Sequence, residues 1–294
     1  MLNTLYINGC SLACGVELFT EEFKDEYPLY IIRSSPKNIE RDGFVKEARF
    51  NIDHSYTTLL AKALKLEPVN EAEAGNGNFA ISTNSVLGIT RLLETKRPDE
   101  IFALICWSHH DRRALLSDYG RTHSFSSIFV ESLKDTNPKL FNGEDKLTDA
   151  FLRYHHLFSR ENWVLTIKKT LLEQVLLANF LERVGVRYLF VFAFSFYYKL
   201  INLRRAAPSL YKDLELQLLI QTLAKKPFFF LDQPEPSIAS FLEAAHHSSF
   251  IDYTCNKGLP ILEYGHPGTV ANNVWMKEIL NHLYEKIPDL FTPH

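Results

Sequence analysis

Seven residues, IFALICW at 101–107, form an unbroken apolar run with polar residues on either side. A half-buried strand would alternate apolar and polar side chains, and a buried helix would need a longer stretch. A run this short and continuous therefore reads as a strand covered on both faces. Such a strand belongs in a sheet layered between helices. RYLFVFAF, 187–194, repeats the pattern, and Asn3 to Ile7 is a shorter version near the start of the chain. EPVNEA, 67–72, is a weaker strand candidate, and KPFFFLD, 226–232, supplies a fifth.

Between these runs the apolar spacing turns helical. After a polar stretch from Thr20 to Arg49, DHSYTTLLAKAL predicts a helix from Asp53, with Asp53 as its cap. FAISTNSVLGITRLLETK, the segment from Trp163 to Arg183, LYKDLELQLLIQTLAKK and TVANNVWMKEILNHLYEKI carry the same signal. From Ser108 to about Glu161 the chain is polar and aromatic, with loop signals in DYGRTHSFSS and DTNPKLFNGED, so an insertion is expected at about 108–162. Alternating strands and helices predict a parallel sheet, because parallel strands need crossover connections. Ligands of such sheets bind beyond the carboxyl ends of the strands. The loops expected there are GCSLACG, AGNGN and WSHHDRR, the ones richest in small and polar residues.

Composition narrows the function. Lys and Arg number 32 against 35 Asp and Glu, a formal charge of −3, so no electrostatic footprint for nucleic acid or an anionic membrane stands out. The opening MLNTLYING lacks the basic flank and apolar core of a signal peptide, and no window approaches the roughly 20 apolar residues that span a bilayer. A soluble, cytoplasmic protein is expected. Four cysteines, Cys10, Cys14, Cys106 and Cys255, are too few and too scattered for a disulfide framework in 294 residues, so free thiols are expected.

Ser11 stands in the first of these loops, just after a strand. A serine hydroxyl is a weak nucleophile until an imidazole takes its proton, and the imidazole needs a carboxylate to hold its tautomer. LEYGHPG, immediately before the last helix, places Glu263 three residues ahead of His266, so one loop can present both. Cys10 is the rival nucleophile, since a thiolate attacks better, but it falls on the other side of an extended backbone. Cys10, Cys14, His109 and His110 could also be imagined around zinc, although no second ligand motif of recognisable spacing accompanies them.

Gly9-Cys10-Ser11 with Gly15 after a first strand, a Gly/Asn loop after the second, and Glu-x-x-His-Pro before the last helix together resemble the SGNH (GDSL-type) hydrolase superfamily. The resemblance spans Ile7 to about Leu280 in a few short blocks. It implies Ser11 as nucleophile, His266 as base and Glu263 as acid, with the N–H groups of Ser11 and Gly75 in the oxyanion hole. This sequence departs from the family pattern with Cys10 and Glu263 where aspartates are usual. It also has no asparagine in Trp107-Ser108-His109-His110-Asp111-Arg112. That leaves Asn78 or His109 to supply the third oxyanion donor. His109 and Arg112 are also the candidate substrate-binding residues, Arg112 to anchor an anionic part of a substrate or to serve in a salt bridge.

The expected fold is therefore a single α/β domain over 1–294, three-layer α/β/α with a flavodoxin-like parallel sheet and a helical insertion. The expected activity is that of a serine esterase on small acyl esters or acylated carbohydrate, O-deacetylation included, with no cofactor, no metal, no nucleic acid and no membrane. An acyltransferase with the same triad, or a catalytically lapsed component of a larger assembly, are the alternatives. Oligomeric state is open.

Overall fold

A computed structural model of the chain describes residues 2–23, 43–109, 113–116, 122–125, 163–194, 212–235, 237–263 and 265–288. Among the described residues four parallel strands make the central sheet: β1 (Thr4–Asn8), β2 (Glu67–Asn70), β3 (Ile101–Trp107) and, after an intervening antiparallel pair of β4 (Arg113–Leu116) and β5 (Thr122–Phe125), β6 (Arg187–Phe192). Their spatial order is β2-β1-β3-β6. β1 pairs with β3 from Thr4↔Ile101 to Asn8↔Ile105, and β3 pairs with β6 from Phe102↔Arg187 to Trp107↔Phe192.

Alternate side chains of each central strand enter different cores. Tyr6, Ala103, Ile105, Trp107, Phe190 and Phe192 join one cluster, whereas Leu5, Ile7, Leu104, Cys106, Leu189 and Val191 join the other. This is the two-residue period of a strand expressed in three layers. The first cluster is closed by α4 (Asn78–Leu93), α5 (Trp163–Val184), α6 (Leu214–Leu223) and α7 (Ile238–His247). The second is closed by α3 (Tyr56–Leu64), α8 (Phe250–Asn256) and α9 (Thr269–Lys286), where Trp275 stacks on Phe250 at 5.4 Å. The protein thus has a three-layer α/β/α fold.

The chain passes from β1 outward to β2 through α3 on one face, then back across β1 to β3 through α4 on the other. Reversing direction while changing faces is what right-handed crossovers demand, and it opens a crevice at the carboxyl ends of β1 and β3. β2 lies on the edge and is partly exposed, which is why it tolerates Pro68 in register with Leu5.

Three elements differ from their sequence signals. Asp53 is not a cap: after the four-residue α1 (Thr20–Phe23), it lies inside α2 (Val45–His54), and Ser55 caps α3 by accepting from Thr58 N at 3.3 Å. The helical spacing is interrupted where Ser55 turns extended at ψ 142°. KPFFFLD joins the edge of β6 only at a bridge of Phe228 to Phe190, and Ser249 continues that edge opposite Phe192. The aromatic run fills the core beside β6, with Phe190 and Phe228 centroids 5.1 Å apart. Of the expected insertion the described residues hold the antiparallel pair β4–β5, and 110–112, 117–121 and 126–162 lie outside them. Among the described residues no helix is long and apolar enough to cross a membrane.

Candidate active site

The loop after β1 is a run of tight turns pressed against the end of β3. A Cβ on Gly9 would stand 2.7 Å from Cys106 Cβ and 2.9 Å from Cys106 O, so no side chain fits where β1 ends. Asn8 secures that end by donating to Ile81 O at 3.0 Å and Ser85 Oγ at 2.9 Å while accepting from Gly9 N. Ala13 N donates to Cys10 O and Val16 N to Ser11 O, with Gly15 supplying the left-handed conformation between them, φ +71°. Ser11 is 5% exposed at the crevice.

Cys10 and Cys14 turn inward from this loop into the second core cluster, and Cys106 meets them there. All four cysteines are free, and only Cys255 is exposed. Burial pushes the Cys14 and Cys106 thiols well above their ordinary range, which leaves them protonated and inert. Cys10 is fully buried, an environment for packing and not for attack. Among the described residues no group of three or more His, Cys, Asp or Glu could hold a metal ion.

The second loop is fastened to the first and third. Glu73 N and Asn76 Nδ2 donate to Gly9 O at 3.1 and 3.3 Å, and Asn78 Oδ1 accepts from Ser108 N at 2.8 Å. Asn78 Nδ2 lies 3.4 Å from Thr170 Oγ1, a long contact that leaves one amide hydrogen without a partner among the described residues. The N–H groups of Ser11 and Gly75 donate to no partner among the described residues. His109 is half-buried just past β3, and Arg112 lies outside the described residues.

The His266 loop arrives beside the Ser11 loop. Leu262 N donates to His266 O at 2.7 Å, Gly265 N donates to Leu262 O, and Ile261 bridges Pro267, forming a tight hairpin before α9. His266 Nδ1 lies 2.7 Å from Glu17 Oε2, a carboxylate 1% exposed and 249 residues distant in sequence. Glu263 occupies the exposed tip of the hairpin, so it is not the acid paired with the ring. The turn that brings Leu262 and His266 together leaves Glu263 exposed to solvent. Ser11 Oγ makes no hydrogen bond to the His266 ring, and the two loops meet through Glu17.

Two further contacts lock the arrangement. Glu21 Oε2 accepts from Thr269 N at 2.9 Å, satisfying a free donor at the start of α9 with a favourable negative charge. Asn272 Nδ2 donates to Pro267 O at 3.1 Å and Gly268 O at 3.0 Å. Sequence reasoning passed over Glu17 and Glu21. Their only local signal is two acids spaced four apart just after a glycine-rich turn, a pattern that surface helices share.

The fold and site define a three-layer α/β/α protein whose polar loops gather at the switch point of its parallel sheet. The chain belongs to a family of unknown function, DUF6071, whose model matches residues 35–287. The match takes in β2, β3, β6 and the His266 hairpin, and starts after the Ser11 loop. No curated protein matches the chain.

Proposed function

We propose that the protein is a serine hydrolase of SGNH type acting on an acyl ester, with Ser11 as nucleophile and His266 as general base. The observation that carries this reading is the 2.7 Å contact of His266 Nδ1 with Glu17, which docks the histidine hairpin on the serine loop. With Nδ1–H given to that carboxylate, Nε2 is the nitrogen that takes a proton from substrate-side groups. Ser11 Oγ loses its proton to Nε2 as it bonds to the acyl carbon, and the alkoxide of the ester departs with that proton. Water then attacks the acyl-enzyme by the same route in reverse. The Ser11 and Gly75 N–H groups, with the remaining Asn78 amide hydrogen as third donor, receive the oxyanion. Losing one such donor costs about 3 kcal/mol of transition-state stabilisation. Small acyl esters, O-acetyl carbohydrate among them, are the substrate class that the family resemblance implies.

A fluorophosphonate probe tests the reading. The wild-type protein should be labelled at Ser11, located by mass spectrometry, and hydrolyse p-nitrophenyl acetate, whereas Ser11→Ala and His266→Ala should do neither. Absence of labelling at Ser11 in folded protein would overturn the enzyme reading in favour of a scaffold without chemistry.

A further inference from the structure

We infer that Glu17, not Glu263, is the positioning carboxylate of His266, so that nucleophile and acid sit on one loop and the base alone comes from the other. The inference rests on the proposed hydrolase site and names its third member.

The backbone singles out Glu17. Outside glycine, φ is positive at Glu17 (+77°) and Lys65 (+55°) among the described residues. Lys65 is the C-cap of α3, where a left-handed residue is ordinary. Glu17 ends no helix; it lies in the run of turns that leads into Thr20–Phe23, its carbonyl accepting from Thr20 N and Oγ1. A residue with a Cβ is strained in this region, and such outliers persist only where the surroundings hold them.

The neighbours of Glu17 show what holds it. Val16 N is tied back to Ser11 O at 3.1 Å, Phe19 N donates to Asn51 Oδ1 at 2.8 Å, and Thr20 N donates to Glu17 O at 3.0 Å. Between these anchors the Glu17 side chain is driven inward to 1% exposure, within hydrogen-bond distance of one ring nitrogen. A carboxylate is costly to bury without a donor, and an imidazole whose Nδ1–H is claimed by a carboxylate keeps Nε2 bare. Glu21, one helical turn on, grips Thr269 N, so the same segment fixes both the ring and the chain that follows it.

The test combines a readout that needs no turnover with one that does. The 15N resonances of the His266 ring, recorded at alkaline pH, should show Nδ1 protonated and Nε2 bare in the wild-type protein and in Glu263→Gln. Glu17→Gln should shift the ring toward the Nε2–H tautomer, because a carboxamide can donate to Nδ1. In the second arm, Glu17→Gln should slow fluorophosphonate labelling of Ser11 about a thousandfold or more, as expected of a wrong tautomer, with Glu263→Gln within about twofold of wild type. An Nε2–H tautomer in the wild-type protein would overturn the inference, whether or not Glu17→Gln folds. So would a loss of labelling rate confined to Glu263→Gln. If Ser11 is never labelled but the tautomer follows Glu17, the hydrolase reading falls and the pairing stands.

Discussion

Asn272 accepts a hydrogen bond from Tyr56 N at 2.9 Å across 216 residues of sequence, and its own amide holds the carbonyls of Pro267 and Gly268. One buried side chain thus closes the N-terminus of α3, begins α9 and fixes the chain next to His266. Asn272→Ala would strand the Tyr56 N–H, at a cost of about 2 kcal/mol in chemical denaturation. It should also slow the labelling of Ser11, because the hairpin carrying His266 is released.

Gly9→Ala should destabilise the fold by about 1–3 kcal/mol, since the added methyl meets Cys106 and must push β1 from β3. The displaced turn carries Ser11, so thermal stability and Ser11 labelling should fall together. Wild-type values for both would refute the close approach at this point.

Thiol titration separates the cysteines. Only Cys255 is exposed, with Cys10, Cys14 and Cys106 buried, so the native protein should release one equivalent from a thiol reagent and the unfolded protein four. Rapid modification of Cys10 in the native state would reopen its claim as nucleophile.

Burial raises the Glu173 carboxyl on α5 from an ordinary 4.5 to about 7, against the pull of Lys169. The native state then holds a proton that the unfolded chain has released between those values, and stability must fall as pH rises from 4.5 through 7. Glu173→Gln should flatten that slope and stabilise the protein above pH 7 by about 1 kcal/mol, the partial exposure of the site screening the full effect. Denaturation midpoints measured across this range decide the matter; parallel curves for the two proteins would show that Glu173 titrates normally.

Truncating the ring should cost more than exchanging both partners. His266→Ala leaves the Glu17 carboxylate buried without its ring, a loss of about 1–3 kcal/mol, and Glu17→Gln in the same chain should recover part of it. Additive losses in a double-mutant cycle would mean that the two side chains are not coupled.

Local sequence was enough for the layers. IFALICW became β3 residue for residue because a continuous apolar run has no other stable place in a chain of this kind. The helix from Trp163 was equally plain, ending at Val184 where Arg183 had been expected, as was the last helix, Thr269–Lys286. Signals weakened where a position was decided by its partner: Ser55 took the cap from Asp53, and α7 and α8 were not foreseen from IASFLEAAHH and FIDYTCN.

The candidate site divides along the same line. Ser11 at the end of the first strand and His266 before the last helix were legible, since strand ends, glycines and a helix start are written in neighbouring residues. The partner of His266 was not. Spacing along the chain favoured Glu263, three residues away, but a hairpin turn points that side chain into water, while Glu17 arrives from the first loop. Sequence by itself determined the four strands of the sheet, most of the longer helices and the two loops of interest, because those choices depend on period and propensity. Only the tertiary structure decided which carboxylate meets the imidazole, because that contact is made between segments that nothing but the packed sheet brings together.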